Sequence, residues 1–110
     1  MARKAEDART FDVGQDILKK AVRYALLRIG AVVVSQDANG IIIARLPPSW
    51  WGFGEQMEIR VGDGGKVSAI SRNMWLIPLF GSKNRRNIYF FFEWIGDFIE
   101  LYAESEIRVS

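Results

Sequence analysis

Residues 31–46 read AVVVSQDANGIIIARL, and this stretch decides the fold class. Two runs rich in β-branched residues, 31–35 and 40–46, flank the segment DANG at residues 37–40. β-Branched runs on either side of an Asn-Gly step are typical of a β-hairpin. The stretch therefore predicts two antiparallel strands joined by a tight turn.

Two further strands follow the hairpin. Residues 56–61, QMEIRV, alternate between polar and apolar side chains, as a strand with one wet face does. The turn GDGG at residues 62–65 leads into a fourth run at residues 66–72. Because short turns join antiparallel neighbours, the sequence predicts a four-stranded antiparallel meander.

A helix is predicted before this meander and another after it. Residues 12–30 place apolar side chains at helical spacing on one face, with Asp12 as the N-cap and Gly30 as the stop. Residues 82–103 repeat the pattern with a wider apolar arc. The order α-β-β-β-β-α predicts an α+β fold with both helices on one face of the sheet.

The chain has 110 residues, enough for one domain with its own core. Residues 1–10 are predicted to be a flexible lead-in and residues 105–110 a C-terminal tail, on either side of a single domain over residues 11–104. No apolar run reaches the 18 residues of a spanning helix, and the N-terminus lacks an apolar signal stretch. We therefore expect a cytoplasmic protein, with association to a membrane surface as the open alternative.

Neither cysteine nor histidine occurs in the chain. Disulfides, thiolate nucleophiles, imidazole metal sites and the commonest general base are thereby excluded. The net charge of +2 is small for a long electrostatic track along nucleic acid. The composition favours a non-catalytic protein without a metal or a cofactor.

Residues 47–55, PPSWWGFGE, string three large aromatics among prolines and glycines, which are residues of loops. In the predicted meander this loop packs against residues 75–80 near the start of the last helix, with Trp51 turned inward and Trp50 outward. Two interpretations of that end stay open: a satellite core that plugs the sheet, or a contact surface for a partner. The candidate contact residues are the aromatics and bases gathered there: Trp50, Trp51, Phe53, Trp75, Phe80, Lys83, Arg85 and Arg86.

Three short motifs stand out along the chain: WGFGE at residues 51–55, Ser71, and GSKNRRN at residues 81–87. They resemble the pattern sWGE … S … GKNxxN of a family of small uncharacterised bacterial domains of unknown function, and the resemblance covers roughly residues 12–102. It implies an α+β fold and a shared feature at the end of the sheet. It implies no known activity.

Glu55 opens the third predicted strand close to the start of the last helix. We expect Glu55 to pair with Arg85 or Arg86, or Asn84 and Asn87 to bond loop carbonyls. Either arrangement would lock the aromatic loop, which is a structural role rather than a catalytic one.

The sequence therefore predicts a binding domain that uses the aromatic and basic end of the sheet to contact a protein or a small apolar ligand. An anionic membrane surface and single-stranded nucleic acid are the alternatives, since tryptophans beside bases suit both. Self-association is also predicted, because strands 31–35 and 40–46 are apolar on both faces and the last helix has a second apolar shoulder. The candidate interface of this homodimer is formed by Phe90, Trp94 and Leu101.

Overall fold

The computed structural model describes residues 4–47, 54–74 and 83–109. These residues form a sheet of five strands, two helices and one short 3-10 turn, which confirms the predicted α+β class. In chain order the elements are β1 (Lys4–Thr10), α1 (Gln15–Arg28), β2 (Val32–Gln36), β3 (Ile41–Leu46), β4 (Glu55–Val61), the 3-10 turn (Asp63–Gly65), β5 (Lys66–Asn73) and α2 (Asn84–Val109).

The sheet is antiparallel throughout, with the strand order β1-β5-β4-β3-β2. Strands β2 to β5 follow the predicted meander, and the turn at residues 37–40 joins β2 to β3. The side chain of Asp37 holds this turn, because its Oδ1 accepts the backbone N–H of Asn39 at 2.9 Å and that of Ile41 at 3.0 Å. The hairpin is thus stabilised by the residue types that predict it.

The predicted count of four strands is wrong, because residues 4–10 form a fifth strand and not a flexible lead-in. Strand β1 pairs antiparallel with β5, from Lys4 opposite Arg72 to Thr10 opposite Lys66. Its sequence, KAEDART, has no apolar alternation that would predict a strand. The pairing gives hydrogen-bond partners to the backbone N–H and C=O groups at the edge of β5. Because these groups belong to the backbone, the side-chain pattern of residues 4–10 does not indicate the pairing.

The core lies between one face of the sheet and the two helices. Cross-strand register places alternate residues of β3, β4 and β5 on this face, and the buried residues of α1 and α2 pack on them. The buried apolar side chains are Leu18, Ala21, Val22, Ala25, Leu26, Ile42, Ala44, Leu46, Met57, Ile59, Val67, Ala69, Ile88, Phe91, Phe92 and Ile95.

Helix α1 stops where the sequence predicts but starts later. Gly30 has a φ of 82°, and its N–H donates to the carbonyl of Leu27 at 3.1 Å, as at the end of a helix closed by glycine. The prediction of Asp12 as the N-cap is wrong: Gly14 is the N-cap, and the helix begins at Gln15.

The turn between β4 and β5 anchors the end of β1. Gly65 has a φ of 81°, and its carbonyl accepts the N–H of Phe11 at 2.9 Å. A side chain at position 65 would overlap the carbonyl oxygen of Phe11. Both the backbone conformation and the close approach therefore require glycine here.

Helix α2 runs from Asn84 to Val109, past the predicted end at residue 103, and takes in most of the segment predicted as a tail. Its predicted second apolar shoulder is partly uncovered. Phe90 is 42% exposed and Leu101 is 60% exposed, whereas Trp94 is half-buried.

The predicted packing of the aromatic loop, and the orientation of its tryptophans, fall on residues 48–53 and 75–82, outside the described part of the chain. The strands that flank these two stretches do meet. Glu55, at the start of β4, lies opposite Asn73, at the end of β5. The register therefore brings the start of β4 and the end of β5 together at one end of the sheet.

Candidate functional site

The contact surface predicted from the sequence contains five aromatic and three basic residues. The bases Lys83, Arg85 and Arg86 lie at the start of α2, and successive helical residues point about 100° apart. Arg86 borders a cavity on the side of α1, together with Lys83, while Arg85 borders one on the side of β1. The bases therefore lie on two sides of α2. The aromatic members lie outside the described residues: Trp50, Trp51, Phe53, Trp75 and Phe80.

A polar cluster, formed by Glu55, Ser71, Asn73, Asn84 and Asn87, lies between the first turns of α2 and the sheet. The Ser71 hydroxyl donates to Asn84 Oδ1 at 2.8 Å, and Asn84 Nδ2 donates to Asn73 Oδ1 at 2.9 Å. Asn87 Nδ2 donates to Glu55 Oε1 at 2.8 Å and to the Ser71 hydroxyl at 3.3 Å. Because a buried polar group is costly unless it is hydrogen-bonded, this network holds the start of α2 on the ends of β4 and β5.

Four of the five residues of the polar cluster belong to the three motifs quoted above. Glu55 belongs to the first motif, Ser71 is the second, and Asn84 and Asn87 belong to the third. Their contact with one another was not predicted. The spacing could have indicated it, because two asparagines three residues apart share one face of a helix.

The expected pairing of Glu55 with Arg85 or Arg86 is absent from the ion pairs of the described residues. Asn87 takes that place as the hydrogen-bond donor. Asn73 Nδ2 is buried and has no hydrogen-bond acceptor among the residues that the structure describes. The network is therefore satisfied at its centre and incomplete at its edge.

An open groove runs beside the polar cluster, between the end of α1 and the start of α2. Two cavities, of about 290 Å³ and about 310 Å³, form it and share Ile29, Arg86 and Asn87. We call it the α1–α2 groove. Its lining consists of Arg28, Ile29, Gly30, Leu46, Pro47, Glu55, Lys83, Arg86, Asn87, Phe90 and Trp94.

Two arginines of the α1–α2 groove lie over aromatic rings. The guanidinium carbon of Arg28 is 4.2 Å from the ring centroid of Trp94, and that of Arg86 is 5.6 Å from the ring centroid of Phe90. Within the described residues, neither guanidinium has a carboxylate within 4.0 Å. The groove thus combines apolar walls with two guanidinium groups that form no ion pair with a described carboxylate.

The cavity on the other side of α2, against β1, has a different charge balance. Arg9 lies 3.6 Å from Asp7, 3.7 Å from Glu93 and over the ring of Phe92 at 5.0 Å. The Tyr89 hydroxyl donates to Glu93 Oε1 at 3.1 Å, and this bond raises the pKa of Tyr89 above its ordinary value. Charges of both signs therefore offset one another here. The cavity has about 360 Å³ and is lined by Lys4, Ala5, Glu6, Asp7, Arg9, Arg85, Ile88 and Tyr89.

Residues 4–47, 54–74 and 83–109 contain no group of three or more acidic, histidine or cysteine side chains that could hold a metal ion. Over the same ranges, no helix has the length and apolarity needed to cross a membrane. Comparison with protein-family models, with curated proteins and with solved structures gave no match. The resemblance to small bacterial domains therefore stays a prediction, and function has to be inferred from the surfaces described above.

Proposed function

We propose that this chain is a non-catalytic binding domain whose α1–α2 groove takes a short amphiphilic anion, a carboxylate or phosphate joined to an apolar chain. The observation that carries the proposal is the pair of guanidinium groups, on Arg28 and Arg86, that border one groove with no described carboxylate within 4.0 Å of either. Guanidinium groups suit planar or tetrahedral oxyanions because their N–H donors can bond two oxygens at once.

The apolar walls of the α1–α2 groove favour an attached chain over a bare anion. The rings of Phe90 and Trp94 and the side chains of Ile29 and Leu46 line it. Contact with them would stabilise the complex at roughly 25 cal/mol per Å² of apolar surface removed from water. The cavity volumes, about 290 and 310 Å³, lie at the lower end of the roughly 300–1,000 Å³ usual for small-molecule sites. A short chain is therefore the better fit.

The charges of the lining support an anion rather than a cation. Arg28, Lys83 and Arg86 carry positive charge, and Glu55 carries negative charge. The Glu55 carboxylate is buried and already accepts a hydrogen bond from Asn87, so its charge is partly compensated within the polar cluster. An anionic bilayer presents the same head-group chemistry, so the experiment has to separate a soluble ligand from a membrane.

Isothermal titration of the full chain with octanoate and with octyl phosphate tests the proposal, with octyl glucoside as the neutral probe. We expect both anions to bind, and the neutral probe to bind at least about tenfold more weakly. Arg28→Gln and Arg86→Gln should each weaken anion binding about tenfold. Arg60→Gln is the matched control, because Arg60 lies on the open face of the sheet, and it should leave the affinity unchanged.

Two outcomes would contradict the proposal. One is equal affinity for the neutral and anionic probes, or affinity for the anions that neither arginine substitution alters. The other is sedimentation of the chain with phosphatidylglycerol vesicles without any binding of monomeric octanoate, which would assign the surface to a membrane.

A further inference from the structure

We infer that two copies of this chain associate edge to edge through β2, so that their sheets continue into one another. β2 is the last strand of the sheet, and no described strand lies on its outer side. An edge strand presents a row of N–H and C=O groups that can pair with another chain. This surface differs from the interface that the sequence predicts, on the shoulder of α2.

The side chains of β2 are those of a strand that is covered rather than exposed. Val32, Val33 and Val34 are 61%, 42% and 47% exposed, and no residue of VVVSQ is charged. Soluble proteins protect an open edge with charged residues, proline, a β-bulge or a short strand, which make pairing costly. β2 has five residues and a register shift at Val34, but it carries no charged residue and no proline. Three successive exposed valines on an uncharged edge therefore indicate a partner strand.

A second copy of the chain fits this edge. Antiparallel pairing about a two-fold axis sets one uncharged strand against another, so no like charges meet along it. A register centred on Val33 pairs Val33 with Val33 and Val32 with Val34 of the other copy, and β-branched cross-strand pairs stabilise a sheet. The register shift between Val33 and Ser35 also leaves Val34 without a paired residue on β3. In the register centred on Val33, the exposed Val34 lies opposite Val32 of the second copy.

The association should close at two copies. Once the two β2 strands have paired, the outer edges of the extended sheet are the two copies of β1. Lys4, Glu6, Asp7 and Arg9 are charged, four of the seven residues of β1, and such an edge resists further pairing. One self-complementary surface per copy gives a two-fold dimer and not a fibre.

The shoulder of α2 is the weaker candidate for a two-fold contact. Phe90 and Leu101 are exposed there, but Glu93, Asp97 and Glu100 are also exposed on the neighbouring strip of the helix. Pairing α2 with its own copy would set carboxylates against carboxylates, which is destabilising. The acidic strip therefore favours the uncharged β2 edge.

Sedimentation velocity on the full chain, between about 1 and 100 µM, tests this inference. We expect a monomer–dimer equilibrium. Val34→Lys places two ammonium groups near the two-fold axis and should weaken the dimer at least about tenfold. Leu101→Lys, on the shoulder of α2, is the matched control and should leave the dimer unchanged. Thermal melts followed by circular dichroism check that both variants fold.

Hydrogen exchange on the unmodified chain is the second measurement, and it decides the question if Val34→Lys does not fold. Amides of β2 should exchange at least about tenfold more slowly at the high concentration than at the low one. The inference is overturned by a monomer throughout the range, by β2 amides indifferent to concentration, or by species larger than two. A dimer that Val34→Lys leaves intact, or that Leu101→Lys dissociates, overturns it equally.

Discussion

β1 and β2 are the two edge strands of one antiparallel sheet, and they differ in the number of charged residues and in how far their side chains are buried. β1 carries four charged residues in seven, and α2 packs beside it, with Arg9 lying over the ring of Phe92. β2 carries no charge in its five residues, and its three valines are exposed.

Within the described chain, both strands form ladder hydrogen bonds on their inner side alone, so hydrogen bonding does not distinguish the two edges. Their side chains do. Charges on β1 make a further strand costly to add, while the valines of β2 gain from one. A sheet with one protected and one open edge can pair once and then stops, which is the assembly inferred above.

The largest expected effect comes from detaching β1 from the turn that anchors it. Gly65→Ala should destabilise the fold by about 3 kcal/mol or more, because its Cβ would overlap the Phe11 carbonyl and the residue has a φ of 81°. Urea unfolding measures the loss. Gly64→Ala is the matched control, since its φ is 71° but nothing lies within 4 Å of the added Cβ, and it should cost about 1 kcal/mol. Equal losses would show that the contact with Phe11 does not hold β1.

A smaller effect is expected from removing Arg9, the residue of β1 whose charge contacts α2. Arg9→Ala removes the contact with the ring of Phe92 and the ion pair with Glu93, and should lower the free energy of unfolding by about 1 kcal/mol. Arg60→Ala is the comparison, because the Arg60 side chain is 62% exposed on the open face, and it should cost less than about 0.5 kcal/mol. If the two substitutions lower the free energy of unfolding equally, the contacts of Arg9 with α2 do not stabilise β1.

The smallest effect concerns the phenol of Tyr89 beside β1. The hydrogen bond to Glu93 raises its pKa, so Glu93→Gln should lower that pKa toward the ordinary value, as measured by the pH dependence of the tyrosine ring resonances. Glu106→Gln is the matched control and should lower only the pKa of Tyr102, which Glu106 raises in the same way. No change at Tyr89 would contradict the bond.

The raised pKa of Tyr89 also makes the stability of the fold depend on pH. A raised pKa means that the fold favours the neutral phenol of Tyr89. The stabilisation from this bond is therefore fully present below the ordinary pKa of tyrosine, and it is lost as the pH rises through the raised value. Glu93→Gln should reduce that loss at alkaline pH.

For the polar cluster, the sequence predicts the positions of some residues but not their hydrogen-bond partners. The positions of Asn84 and Asn87 on one face of α2 could be read from their spacing, and so could the position of Glu55 at the start of a strand. The sequence does not report which donor meets a buried carboxylate. A charged partner was expected for Glu55, but the amide of Asn87 lies within hydrogen-bond distance. Arg85 and Arg86 of the same helix instead border different cavities, Arg85 on the side of β1 and Arg86 on the side of α1.

By itself the sequence determined the elements whose signals are local: the hairpin around residues 37–40, the apolar faces of both helices and the antiparallel order of β2 to β5. Only the tertiary structure decided that residues 4–10 are a strand, that the α1–α2 groove exists and which edge of the sheet is open. The physical reason is the range of the interactions. Turns and helices are specified by neighbours in sequence, whereas edge pairing and grooves depend on groups that only the folded chain brings together.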